Sequence, residues 1–441
     1  MEKSKMRHVI HVPRRFVAEK WGGTETVIVG TTKRLPDFGY SSEIITPGIF
    51  ADPASVNNFR QARSAKPVMD SYEGIPITRF NYFYPFFGLS SQNIEDMDNK
   101  GGNLFSWSLM AYLYSLKKKS VDLFHIHTMK RLGGIVRKAA AFHRVPYVIS
   151  LHGGYIDIPQ EERGQLTAPI RNRLEWGRLL GFFVGSRRVL QDAAAIICVG
   201  YSEYEILSKR MPHKKVVYQP NGVDYAGFQK GDPDRFRALY RVPKDRRIIL
   251  NISRIDGQKN QILLLQSFAK LIPDFPDIHL VLIGPTTSTT YIDKLRADIE
   301  KRGLADRVTI NRKGAESGAK AGGTDIVDAY TAAEVFVLPS RHEPFGIVIL
   351  ESWSTGGAVV ASKVGGIVRF TEDNKDALLF DSGDVDGCAA QIGRILSDSA
   401  LRDRLGRNGR QKAMERYDWR IITSDLANLY DEAIENFSRR D

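Results

Sequence analysis

The 441-residue sequence predicts an α/β protein built from two doubly wound, Rossmann-like domains. Three observations predict it. Short β-branched runs alternate with longer mixed segments along the chain, the pattern of βαβ units and a mostly parallel sheet. The runs fall into two sets of six, separated by the turn-rich QPNGVD at 219–224. The length suits about two to three domains of roughly 150 to 200 residues each.

The first set of runs is RHVIHV, SEIIT, VDLFHIH, VPYVISLH, AAAIICV and KKVVYQP. The second is RRIILNIS, IHLVLIG, RVTI, AEVFVLPS, GAVVAS and DALLF. In open parallel sheets ligands bind beyond the carboxyl ends of the strands, so functional residues are expected just after these runs.

Composition narrows the class. The apolar share of 42% and the charged share of 26% are those of an ordinary globular protein. Two cysteines, Cys198 and Cys388, cannot form a disulfide framework and have no close metal-ligating neighbour, so they read as buried thiols in a reducing compartment. The opening MEKSKMRHVIHVP lacks the apolar core of a secretory leader, and no run reaches the ~18 apolar residues of a spanning helix. A cytoplasmic protein is expected. The net charge of +12 is uneven: residues 1–224 carry 31 Lys and Arg against 20 Asp and Glu, whereas residues 225–441 carry 32 against 31. A basic first half suits an acidic lipid surface or a phosphorylated acceptor; a solvated surface is the plainer reading. No nucleic-acid module accompanies the charge, and nucleic acid is not expected as a partner.

Four segments carry candidate chemistry. In VFVLPSRHEPFGIVILESWSTGG (335–357) a buried strand ends, a loop holds Glu343, and a helix is expected to open near Phe345 with Glu351 about two turns in. The amides of Phe345, Gly346 and Ile347 would then present a helix N-terminus to a diphosphate or sugar hydroxyls. The two carboxylates could each hold a pair of vicinal hydroxyls, or serve only as helix-terminal charge. In ILNISRIDGQKNQILLLQSFAKL (249–271), Arg254 and Lys259 follow a strand, placed either to neutralise a departing pyrophosphate or simply on a solvated capping loop. In EKWGGTET (19–26), Gly22 and Gly23 open a helix whose amides could meet a phosphate, or make a plain tight turn. In VISLHGG (148–154), His152 sits directly beyond a strand, facing a hexose or playing a structural part. HIH at 125–127 places two rings on one strand face with no third ligand evident, so no metal site is expected. The pair Asp384 and Asp386 reads as surface turn chemistry, not a metal clamp. The aromatic run 80–87 reads either as a strand with a buried loop or as a lip meeting lipid or sugar.

Taken together, Gly22 to Glu25, Leu151-His152-Gly153, Asn221 to Asp224, Arg254 with Lys259, Glu343-Pro-Phe-Gly through Glu351, the run GGAVVASKVGG (356–366) and Tyr417-Asp418-Trp419 resemble the retaining nucleotide-sugar glycosyltransferases of family 4. That resemblance spans nearly the whole chain. It implies the GT-B architecture: two Rossmann-like domains facing across a cleft, and a C-terminal helix returning to the first. The domains are then expected at 1–222 (acceptor), 223–416 (donor) and 417–441 (returning helix).

The resemblance also implies roles. Arg254 and Lys259 would hold the diphosphate, Glu351 the ribose, and Glu343 with the amides of Phe345, Gly346 and Ile347 the donor hexose. Gly22 and Gly23 would approach the phosphate from the first domain, and His152 would sit by the donor sugar. The base would rest near Thr309 to Arg312, where NRKGAESGAKAGGTD departs from the family's pattern. The implied reaction moves a hexose, with retention and without a metal or other cofactor, from a UDP-sugar (GDP-mannose second) to a glycan or lipid-linked acceptor. It would serve cell-surface polysaccharide or glycoconjugate synthesis, with peripheral contact to anionic membrane on its inner face. A nucleotide-sugar epimerase, a pyridoxal-dependent glucan phosphorylase and a non-catalytic nucleotide-sugar-binding subunit are the competing readings. The first lacks acid/base carboxylates in the first half, the second a longer chain, and the third would not keep Glu343 and the cation pair.

Overall fold

The structure, a computed structural model, describes residues 6–17, 22–48, 67–117, 120–153, 174–286, 288–311 and 324–439. The chain divides into two compact units, Met1–Gln219 with Thr423–Asp441, and Pro220–Ile422.

The first unit is built on β1 (Arg7–Val12), β2 (Tyr40–Pro47), β3 (Val68–Tyr72), β4 (Ile75–Phe80), β5 (Leu123–Ile126), β6 (Tyr147–Leu151), β7 (Ala195–Cys198) and β8 (Val216–Tyr218). Their order is β3-β4-β2-β1-β5-β6-β7-β8. Only β3 runs antiparallel, hairpinned to β4 through Glu73 and Gly74, both with positive φ. The sequence predicted six strands here; the two extra ones are this edge pair. β3 is exposed along most of its length and lacks an apolar face, and Pro76 interrupts the start of β4.

Alternation along the central strands sends neighbouring side chains to opposite faces. Ile10, Val12, Phe124, Ile126, Ile149 and Leu151 pack on one side with the helix Lys130–His143. Val9, Leu123, Val148, Ala195 and Ile197 point the other way, onto Leu426, Tyr430 and Ala433 of the helix Trp419–Ser438. This helix starts at the predicted Tyr417-Asp418-Trp419, and from Thr423 onward it belongs to the first unit.

The second unit holds β9 (Arg247–Ile252), β10 (Ile278–Ile283), β11 (Val308–Asn311), β12 (Ala333–Leu338), β13 (Val359–Ser362) and β14 (Leu378–Phe380). All are parallel, in the order β11-β10-β9-β12-β13-β14. Strand order therefore reverses between β9 and β12, the switch point where doubly wound sheets bind ligands. The equivalent reversal in the first unit lies between β1 and β5. The sheet of the second unit is buried against Leu264, Leu265 and Phe268 of the helix Gln261–Leu271 and Ile392 and Ile395 of the helix Val385–Ser397. Each such side chain contributes about 1.5–3 kcal/mol by leaving water.

Three smaller expectations resolve here. Cys198 and Cys388 are buried thiols, each pushed up to about 12 by burial. Asp384 is a helix N-cap accepting from the Gly387 amide at 2.9 Å, and Asp386 pairs with Lys270. In the aromatic run, Phe80, Tyr82, Phe83, Tyr84 and Phe86 are buried, which overturns the lip reading for all but Phe87. Among the described residues no helix is long and apolar enough to cross a membrane.

Candidate active site

At the switch point of the second unit, three loops lock together beyond the strand ends. The loop after β9 is folded by Asp256, whose Oδ1 accepts the amides of Gln258 at 3.1 Å and Lys259 at 3.0 Å. Beneath it, Gln261 Nε2 donates to Ser253 Oγ and to the Arg254 carbonyl, at 2.9 and 2.8 Å. The loop after β12 crosses it: the Arg341 amide donates to the Gln258 carbonyl at 2.8 Å, and Gln258 Nε2 donates to the His342 carbonyl at 3.1 Å. The loop after β13 lies on the second, with the Gly366 amide bonded to the Glu343 carbonyl at 2.8 Å. Gly365 has φ +47°, and a Cβ there would sit 2.2 Å from that same carbonyl oxygen, so the contact requires glycine.

This packing brings predicted residues together. Lys259 Nζ forms an ion pair with Glu343 Oε2, and Ser340 Oγ donates to the same oxygen at 3.3 Å. Both partners are largely buried. Arg254, in contrast, is about half exposed, held only at its edge by Gln258 at 3.0 Å and Asp256 at 3.5 Å. Its guanidinium is therefore more accessible to an anion than the Lys259 ammonium.

The helix after Glu343 begins at Ile347 rather than near Phe345, with Gly346 as its cap at φ +101°. Its first amides, at Ile347 and Val348, have no acceptor within the helix and carry the positive end of its dipole. The Phe345 ring is core, stacked on Phe370 at 4.8 Å, so only its backbone can face a ligand. With this later start, Glu351 lies one turn into the helix, not two. It is 8% exposed and accepts a 2.8 Å bond from Tyr330 Oη. Burial pushes its carboxyl up to about 7, with the Tyr330 bond opposing that rise.

In the first unit, Gly22 caps the helix Gly23–Thr32, as expected for a helix-opening pair. The Gly22 amide donates to Glu25 Oε2 at 3.0 Å, and burial raises the Glu25 carboxyl. His152 follows β6 and bonds through Nε2 to His127 Nδ1 at 3.0 Å. His127 Nε2 meets His11 Nδ1 at 3.1 Å. The sequence saw no third partner for HIH; the structure supplies one. His11 stands opposite His125 across β1 and β5, and nitrogens of His11, His125 and His127 lie within 4.8 Å of one another. His125 is already engaged by Tyr430 Oη at 2.6 Å and Ser150 Oγ at 2.7 Å. Burial lowers all four imidazoles, His11 to about 3 and His152 to about 4, so they are neutral near pH 7. Arg312 lies outside the described residues.

Sequence reasoning missed Tyr330, Ser340, Asp256 and His11. Asp256 was findable, since Asp two residues before a loop amide is a standard Asx turn. The others act across strands or helices and leave no local signal.

Both units match known glycosyltransferase families. Residues 21–226 match the family model Glycosyltransferase Family 4, and residues 232–412 match Glycosyl transferases group 1. A D-inositol 3-phosphate glycosyltransferase of Saccharomonospora viridis is 32% identical over 221 residues, 49% of this chain and only half of that relative's length. The protein of that name from Stackebrandtia nassauensis is 25% identical over 94% of this chain and 87% of its own. Among solved structures, Anabaena Alr3699/HepE in complex with UDP shares the fold with a TM-score of 0.68, at 19% identity over 96% of this chain and 99% of that one.

Proposed function

This chain belongs to the glycosyltransferases, family 4 in its first half and group 1 in its second, and from that premise we propose a retaining, metal-independent transfer of a hexose from a nucleoside diphosphate-sugar to a hydroxyl acceptor. One observation carries the donor assignment. The loops after β9 and β12 converge on Lys259 and Glu343 beside an open helix N-terminus, so cation, carboxylate and amides serve one ligand. Arg254 and Lys259 then stabilise the charge that grows on the leaving diphosphate, the largest catalytic term in such a site. Glu343 holds the hexose and Glu351 the ribose. In the first unit, the proposed roles are phosphate contact by the amides of Gly22 and Gly23 and sugar contact by the His152 imidazole.

The resemblance to retaining enzymes of family 4 supports front-face attack, in which the departing phosphate takes the acceptor's proton on the face it leaves. A UDP-sugar is the favoured donor and GDP-mannose the second. Calorimetry with UDP, GDP and ADP, followed by nucleoside diphosphate release with the matching sugars, tests the reading. Absence of binding by all three would sink it.

A lipid-borne acceptor is favoured by one surface feature. Phe87, Phe142, Leu174, Leu179, Phe182 and Phe183 are 57% to 88% exposed. The Phe87 amide bonds the Leu174 carbonyl, and Lys138 Nζ lies 4.1 Å over the Phe183 ring, one turn before Phe142. Apolar side chains edged by Lys138, Arg178 and Arg188 match an anionic lipid surface, which takes the rings into its interface and the cations at its headgroups.

A further inference from the structure

The three-imidazole chain His11–His127–His152 has a direction, and that direction fixes what His152 offers its ligand. A neutral imidazole has one N–H and one lone pair. Two hydrogen bonds through three rings therefore permit only two proton arrangements. In the first, every ring carries its proton on Nδ1: His11 donates to His127 Nε2, His127 donates to His152 Nε2, and His152 keeps an Nδ1–H pointing onward. In the second, every ring carries it on Nε2, the bonds run in reverse, and His152 is left with a bare Nδ1 lone pair.

The far end of the chain decides between them. His11 is fully buried, and among the described residues its Nε2 has no hydrogen-bond partner. In the second arrangement that atom is an orphaned N–H, the kind of buried group native structures avoid most. In the first it is a lone pair without a donor, which is tolerated more often. Protonation cannot rescue either case, because burial holds all three rings neutral. The alternative of a metal drawing on His11 Nε2 is disfavoured by His125, both of whose nitrogens already have hydroxyl partners.

We infer that His11 and His127 are positioning residues that hold His152 as its Nδ1–H tautomer, so that His152 meets its ligand as a hydrogen-bond donor and not as a base. What that donor meets rests on the placement of His152 proposed above: an accepting hydroxyl or phosphate oxygen of the sugar donor. The strands explain how the device is built. His11, His127 and His152 fall at or just beyond the ends of β1, β5 and β6, three adjacent parallel strands. The rings of His11 and His127 stack at 5.4 Å, and those of His127 and His152 at 5.3 Å.

Two-bond proton–nitrogen correlation spectra of the full chain, 15N-labelled at histidine and without ligand, read the tautomers directly. The expected result is a protonated Nδ1 and a bare Nε2 for His152, His127 and His11. A protonated Nε2 on His152 overturns the inference. His11→Phe removes the first donor and is expected to turn the His152 signature into a mixture of tautomers; an unchanged signature also overturns it. His127→Asn, which keeps an amide N–H near the Nδ1 position, should preserve the His152 signature where His127→Phe loses it, separating hydrogen bonding from packing. Transfer activity should fall on the order of threefold to tenfold in His127→Phe and recover in His127→Asn. Wild-type activity in His152→Phe would remove His152 from the sugar site while the spectra still decide its tautomer.

Discussion

Lys259 and Glu343 form an ion pair across 84 residues of sequence, joining the loop after β9 to the loop after β12. Under the proposed roles the pair ties the leaving-group cation to the sugar-binding carboxylate, so substitutions at either residue should act on both structure and catalysis.

Arg254→Ala and Lys259→Ala should both lower kcat sharply, because each removes charge that stabilises the departing diphosphate. They should differ in stability. Arg254 is about half exposed, and its loss should leave the melting temperature nearly unchanged. Loss of Lys259 leaves Glu343 buried with Ser340 alone, at a cost of about 1–3 kcal/mol. Thermal melts beside steady-state kinetics check this; equal melting shifts in the two variants would contradict it.

Glu351 should report on pH. Burial pushes its folded carboxyl up to about 7, above the ordinary value of 4.5. Between those values the folded state keeps a proton that the unfolded state has lost. Stability present at low pH is therefore lost as pH rises through this window, at about 1.4 kcal/mol per unit, and levels off above pH 7. Glu351→Gln should abolish that slope in urea titrations. The ionised form is the better acceptor for ribose hydroxyls, so donor KM in the wild type should fall as pH passes upward through about 7 and stay flat in the variant.

Glu343→Gln should chiefly lower kcat, whereas Glu351→Gln should chiefly raise donor KM. On the proposed assignment Glu343 would meet the sugar where positive charge develops, and Glu351 a part unchanged in the reaction. A charge-assisted hydrogen bond is worth about 1.5–3 kcal/mol, so the effects should span roughly tenfold to over a hundredfold. The reverse pattern in kinetics with varied donor would exchange the two roles.

Gly365→Ala should weaken binding of the nucleotide-sugar by displacing Glu343. The methyl would collide with the Glu343 carbonyl and strain a backbone at positive φ, at a cost of about 1–3 kcal/mol. Affinity for the intact nucleotide-sugar within twofold of wild type would show that the loop after β13 does not position Glu343.

Phe182→Ser with Leu179→Ser should abolish flotation with anionic vesicles, and Arg178→Ala should reduce it mainly at low salt. Retention of binding by the double variant would place the membrane surface elsewhere.

How much of this was legible in the sequence follows the range of the interactions. Buried parallel strands announce themselves by β-branched runs, and twelve of the fourteen did. β3 and β4 did not, because an edge hairpin with an exposed strand has no apolar pattern to read. Helix capping by Gly22, and the loop positions of Arg254, Lys259 and Glu343, are local and were readable. That Lys259 lies on Glu343, that Tyr330 holds Glu351, and that His11 completes a row with His127 depend on strand order, which residue patterns alone do not set. The start of the helix at Ile347 was displaced by Gly346, whose positive φ moved the cap two residues along.

The helix Trp419–Ser438 gives the molecule an unusual schedule on the ribosome. Val9, Leu123, Val148 and Ala195 emerge before the second unit, yet the residues that cover them, Leu426, Tyr430 and Ala433, are translated only after it. The unit that begins synthesis first is thus completed only after the whole second unit has been made, and meanwhile one face of its sheet stays open to chaperones, proteases and neighbouring chains. A nascent chain stalled after Arg416 should be cut readily within the first unit, and adding a separate peptide of residues 417–439 should protect it. Equal resistance with and without that peptide would show that the early unit closes unaided.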